Sequence, residues 1–195
     1  MARKITWTDP VLGEFTLDSV GWKLKRHFPA FEVFQYSWWS GRRAQATFEL
    51  VFYHDDDETE SQPSKRAIAV AQRAVANQHL LVPRILKAVW RDLHGRGRQT
   101  GMWWHGDLTT IQESINSAFA ERKRAALQLA TITDLHSVIG PECLVIREST
   151  YQYERPSATF TFQAAFDVEH GLGVLTNGTR VLGIGYQSDV MPFAT

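Results

Sequence analysis

The chain has 195 residues, 44% of them hydrophobic and 22% charged, with a single cysteine and 21 Lys plus Arg balanced by 21 Asp plus Glu. That length buries a continuous core, and the composition excludes a disordered chain. The zero net charge supplies no field for holding polyanions and argues against dedicated nucleic-acid binding, while one cysteine excludes an intrachain disulfide and a Cys-rich zinc site. The opening residues Met1 to Pro10 carry basic groups without an apolar stretch behind them, and no run is long enough to span a bilayer. The expectation is a cytoplasmic protein in a reducing compartment, outside the membrane.

The first third reads as strands. Phe15 and Leu17 alternate with polar neighbours, and after an Asp18-Ser19 turn the pattern resumes over Gly21 to Lys25, predicting a hairpin. Phe31, Val33 and Gln35 predict a further strand ending at Trp38-Trp39. From Ala44 to Tyr53 the alternation places Ala44, Ala46, Phe48, Leu50 and Phe52 on a core face. The acidic run Asp55 to Glu58, with Glu60, lacks the ligand spacing and central glycine of a calcium loop and reads as a solvated connection.

Helices follow. Pro63-Ser64 opens one through Ile68, Ala71 and Val75 that stops at Asn77, and Val82, Ile85, Leu86, Val89 and Leu93 make an apolar stripe ended by Gly95. Pro83 belongs in that helix's first turn or kinks one long helix. Gly95 to Gly106 is too glycine-rich for regular structure and reads as a long loop pinned by Trp103 and Trp104. Asp107 or Thr109 caps a helix through Ile111, Ile115 and Phe119, and Thr133-Asp134 caps a short one through Leu135 and Val138, stopped by Gly140-Pro141. Strands return over Cys143 to Arg147, Ala158 to Val168, Gly171 to Leu175 and Arg180 to Tyr186, with Asn177-Gly178 as a hairpin signal. Strands first, helices in the middle and strands last predict an α+β fold: an antiparallel sheet from both ends of the chain with the helices packed on one side. The whole chain, 1–195, reads as one domain, with 1–94 and 107–195 as its candidate subdomains.

The densest chemical cluster is Asp167, Glu169 and His170. On a strand both carboxylates project to one side, as an acid–base pair or metal site would need; equally, acidic residues line exposed strand ends for no reason beyond solvation. No His pair has the i, i+4 spacing of a helical zinc site, so neither a metal nor a cofactor is assigned. Cys143, beside Leu144 and Val145, reads as a buried structural thiol. Gly171-Leu172-Gly173 and Gly183-Ile184-Gly185 lack the context of nucleotide loops and read as strand bulges. Two groups, Trp38, Trp39, Arg42 and Arg43, and Arg96, Arg98, Trp103 and Trp104, combine the residue types enriched at interface hot spots with loop positions. Arg96, Arg98, Trp103 and Trp104 are therefore the candidate partner-binding residues, against the plainer reading that the tryptophans close the core.

Phe166-Asp167-x-Glu169-His170-Gly171-Leu172-Gly173-Val174, the Asn177-Gly178 turn and Val181 to Gly185 together resemble a family of uncharacterised bacterial domains with a Trp-Asp-x-Glu-His-Gly-x-Gly-Val strand and a following strand ending in Ile-Gly. Phe166 stands where that family has tryptophan. The resemblance implies a bacterial cytosolic domain, related to groups that occur beside toxins as immunity or interaction proteins, and brings no catalytic role. The sequence thus points to a non-enzymatic, immunity-like protein-binding module; the alternative is a hydrolase or metal-dependent enzyme using Asp167, Glu169 and His170.

Overall fold

The computed structural model describes residues 5–38, 44–53, 61–98 and 100–193. Trp39, Arg42, Arg43 and the acidic run 55–60 lie outside the described residues. Eight strands form one sheet in chain order: β1 (Thr6–Asp9), β2 (Gly13–Asp18), β3 (Gly21–His27), β4 (Thr47–Tyr53), β5 (Ile139–Arg147), β6 (Ser157–Ala164), β7 (Asp167–Thr176) and β8 (Val181–Gly185). Every neighbouring pair is antiparallel except β4 and β5, which run parallel. A parallel pair cannot be joined by a tight turn, and the long connection carries the helices α1 (Lys65–Ala76), α2 (Gln78–Leu93), α3 (Leu108–Glu121) and α4 (Leu135–Val138). The fold is α+β, and one continuous sheet runs through both halves of the chain.

The alternation expected over β4 holds, with Phe48, Leu50 and Phe52 buried on the helix side, and it propagates across the sheet through register. Leu50 pairs with Leu144, Leu144 with Phe160, Phe160 with Val174 and Val174 with Ile184, one row of apolar side chains beneath the helices. Ser64 caps α1 by accepting from the Ala67 N–H at 3.1 Å, and Asp107 caps α3 through the Thr110 N–H at 3.1 Å. The Asp18-Ser19 hairpin and the Asn177-Gly178 connection both form; Asn177 Oδ1 accepts from the N–H groups of Thr179 and Arg180 within a four-residue loop.

Four expectations are corrected. Phe31 and Val33 lie in a 3-10 helix (Pro29–Val33): Pro29 fixes its first turn, and Phe31 and Phe34, three apart, both bury against Phe162. Helix α2 begins at Gln78, so Pro83 sits well inside it, immediately after Asn77 has ended α1. Gly140-Pro141 belongs to β5, and the cap before α4 is a capping box that pairs Asp134 with Thr131 rather than Thr133. The strand expected over Ala158 to Val168 breaks at Ala165-Phe166, where the chain reverses so that Ala164 pairs with Asp167.

Gly171, with φ +62°, lies in the stretch where the β6–β7 register shifts, as expected of a bulge, and Gly183 borders a second shift between β7 and β8, whereas Gly173 and Gly185 face each other directly. Gly173 pairs with Gly185 and Leu175 with Gly183, in register, on the sheet face away from the helices. The segment 186–193 folds back across them. A Cβ on Gly183 would stand 1.9 Å from the Met191 carbonyl oxygen, and one on Gly173 2.2 Å from a Val190 methyl. Absence of side chains lets that backbone approach. The segment ends against the open edge of β8, where the Phe193 N–H donates to the Leu182 carbonyl at 2.7 Å, covering part of an otherwise unpaired edge.

Candidate functional site

The reversal at Ala165-Phe166 places Asp167 at the mouth of a shallow groove between the start of β7 and α3. Its volume is about 360 Å3, and its walls include Trp103, Ser114, Glu121, Val168, Glu169 and His170. Asp167 is 7% exposed, and both of its oxygens are engaged. Oδ2 accepts from Trp103 Nε1 at 2.8 Å; Oδ1 accepts from the His170 backbone N–H at 3.0 Å and faces His170 Nδ1, also at 3.0 Å. An ionised carboxylate only accepts, so Nδ1 is the ring nitrogen that donates to it, and in the neutral imidazole Nε2 is the acceptor. The His170 ring lies against Tyr186, centroids 4.6 Å apart.

The fold thus joins Trp103 to Asp167 and His170, two groups the sequence presented separately, but divides other candidates. Glu169 is exposed while Asp167 is buried, so the two carboxylates do not share one environment. Among the described residues no three His, Cys, Asp or Glu side chains are gathered closely enough to hold a metal ion.

The loop 95–106 is divided by Trp104. This side chain has no exposed surface, which corrects its assignment as a contact residue: its indole packs on Phe166 and Tyr186 at 5.3 and 5.4 Å. Its Nε1 donates to Asp92 Oδ2 at 2.8 Å. Trp103, 37% exposed, faces the α3–β7 groove. Arg96 and Arg98 open on a separate hollow beside the end of α2.

Asp92 is the residue sequence reasoning missed. Its other oxygen, Oδ1, accepts from Thr100 Oγ1 at 3.0 Å and lies 2.6 Å from His105 Nδ1, so one buried carboxylate ties together three residues of the glycine-rich loop. A signal was present: Asp92 falls three residues after Val89 and seven after Ile85, on the apolar stripe of α2, where a charged residue requires buried partners.

Cys143 is half-buried on the sheet face away from the helices, its backbone N–H donating to Thr161 Oγ1 at 3.0 Å. Burial, reinforced by the neighbouring carboxylates of Glu142 and Glu49, pushes the thiol up to about 11 from an ordinary 9.0. Alkylation by iodoacetamide at pH 8 is expected to run about a hundredfold slower than for a free cysteine, because two pKa units remove that factor of thiolate. Labelling as fast as a free thiol in the folded protein would contradict this environment. The folded state also holds this proton more tightly than the unfolded chain. The corresponding stability is therefore complete below pH 9.0 and is lost as pH rises through about 11. A Cys143→Val protein is expected to show a flatter fall of its urea midpoint over that interval.

Residues 11–191 match a family described as a domain of unknown function, DUF6985. The chain belongs to this family. The match spans the sheet from the β1–β2 turn to the folded-back segment, and so contains the α3–β7 groove, the Asp92 cluster and the glycine-floored face. No curated protein and no solved structure matches the chain. None of its helices is long and apolar enough to cross a membrane among the described residues.

Proposed function

We propose that this DUF6985 protein is a non-enzymatic protein-binding module of the immunity-like kind, acting in the bacterial cytoplasm, and that the α3–β7 groove is its contact surface. The observation that carries the reading is the occupation of Asp167. Three N–H groups surround its carboxylate, which fixes an exposed tryptophan edge instead of presenting a free acid or base to a substrate. A tryptophan immobilised by its own ring nitrogen loses little conformational freedom on binding, which suits a hot-spot residue.

The chemistry around it describes the partner. Trp103 and Val168, 37% and 42% exposed, supply apolar surface, and Glu121 and Glu169 lie exposed at the rim. No Lys or Arg among the described residues forms an ion pair with either glutamate. A basic side chain beside an apolar one is the complementary feature expected on a partner. The likeness of Phe166 to Gly185 to a family of bacterial domains related to groups that sometimes occur beside toxins supports the immunity-like class.

Affinity capture from a bacterial lysate, comparing the wild type with Trp103→Ala and Glu169→Lys, tests the reading. A stoichiometric protein is expected to be retained by the wild type and weakened about 30-fold by Trp103→Ala, the loss typical of a hot-spot side chain. Equal retention by both variants, or no partner for the wild type, would overturn it. One observation favours the alternative of a hydrolase: the Asp167–His170 pair stands in a groove that also contains Ser114 and Ser117. That reading requires ester or amide hydrolysis lost in a normally folded His170→Ala protein, and fails if the wild type turns over neither.

A further inference from the structure

Beyond the protein-binding groove, the hollow at the end of α2 has the chemistry of a small-ligand site. It lies between α2, the first residues of the following loop, β8 and the folded-back segment. Ala88, Ile184 and Phe193 contribute apolar surface, while Arg91, Arg96 and Arg98 contribute guanidinium groups. Its volume is about 270 Å3. A cavity of about 150 Å3 accommodates a benzene ring, so this one has room for a single ring or short branched chain together with a charged head.

Among the described residues lining the hollow, the carboxylate is that of Asp92, and its oxygens are already directed at Trp104, Thr100 and His105. Among the described residues no carboxylate pairs with Arg91 or Arg96. Arg91 and Arg96 therefore stand beside apolar surface with no paired carboxylate among the described residues. Guanidinium groups bind carboxylates and phosphates through paired N–H donors, and an adjoining low-dielectric wall strengthens that attraction. The wall itself is fixed: Phe193 donates its N–H to Leu182, and its carbonyl accepts from Arg98 Nη1 at 3.3 Å.

We propose that this hollow binds a small organic anion, a carboxylate or phosphate carrying an apolar group about the size of one ring, with Arg91 and Arg96 holding the anionic head and Ala88, Ile184 and Phe193 enclosing the body. This hollow and the α3–β7 groove share no lining residue, so the two proposals are tested separately.

Isothermal titration calorimetry with phenyl phosphate, inorganic phosphate and benzyl alcohol provides the test. Phenyl phosphate is expected to bind saturably at one site, at least tenfold more tightly than either inorganic phosphate or benzyl alcohol. An Arg91→Gln, Arg96→Gln protein removes the two charges assigned to the anionic head and leaves the cavity. Ala88→Leu fills the cavity and leaves the charge. Each is expected to weaken phenyl phosphate at least tenfold while circular dichroism stays native. Absence of saturable binding, binding of inorganic phosphate or benzyl alcohol as tight as that of phenyl phosphate, or undiminished affinity in either variant would overturn the proposal.

Discussion

Asp92→Ala is expected to destabilise the protein by about 3–5 kcal/mol, the range for removing one partner of a buried charged network. The carboxylate is the common acceptor for Trp104 Nε1 and Thr100 Oγ1 and faces His105 Nδ1, and Trp104 and Asp92 are both buried. Truncation leaves those donors facing a cavity, and each unsatisfied buried donor costs about 1–3 kcal/mol. Asp92→Asn should lose less. One amide carbonyl remains for Thr100 and His105, but the amide nitrogen then confronts the Trp104 N–H, donor against donor. Urea unfolding followed by tryptophan fluorescence measures both, and a loss below about 1 kcal/mol for alanine would show that the loop is held by its other contacts. The variant should also weaken partner capture through Trp103, because the network fixes the residue that follows Trp103 in the chain.

Gly140→Ala should cost about 3 kcal/mol or more, at the upper end for forcing atoms into a packed interior. A Cβ at this position would stand 1.7 Å from the Tyr36 carbonyl oxygen and 3.3 Å from the Ala44 Cβ. Backbone, unlike the tip of a flexible side chain, has nowhere to rotate. The obstructed segment is tied to the site's scaffold. Gln35 donates its N–H to the His136 carbonyl at 2.6 Å, Tyr36 donates to the Ile139 carbonyl at 3.4 Å, and the Tyr36 ring stacks on Phe119 of α3. Displacing residue 36 therefore loosens the helix that forms one wall of the α3–β7 groove. Loss of near-ultraviolet circular dichroism together with a lowered urea midpoint is the expected signature. A wild-type midpoint would mean that β5 and the segment at Tyr36 do not approach as closely as this packing requires.

The pattern of residues was enough to determine the α+β class, the core face of β4, the caps at Ser64 and Asp107 and the connection at Asn177-Gly178. Each rests on interactions within a few residues, and alternation, capping hydroxyls and turn amides express them directly. Asp167, Glu169, His170 and Trp103 were visible as chemically distinctive residues, but their relation was not: Trp103 and Asp167 lie 64 positions apart and meet only when α3 and β7 pack. The same limit separated Arg96 and Arg98 from Trp103. Exposure decided that Trp104 is core, and exposure depends on Phe166 and Tyr186, which arrive from distant strands. Phe31 and Val33 follow Pro29, a local sign of a helical first turn, but their alternation alone reads as a strand. The paired glycines were legible only as gaps, since their physical reason is the backbone of residues 186–191 lying across them. Local periodicity determined which segments form strands and helices; long-range approach between backbones and buried polar groups decided which side chains share a site.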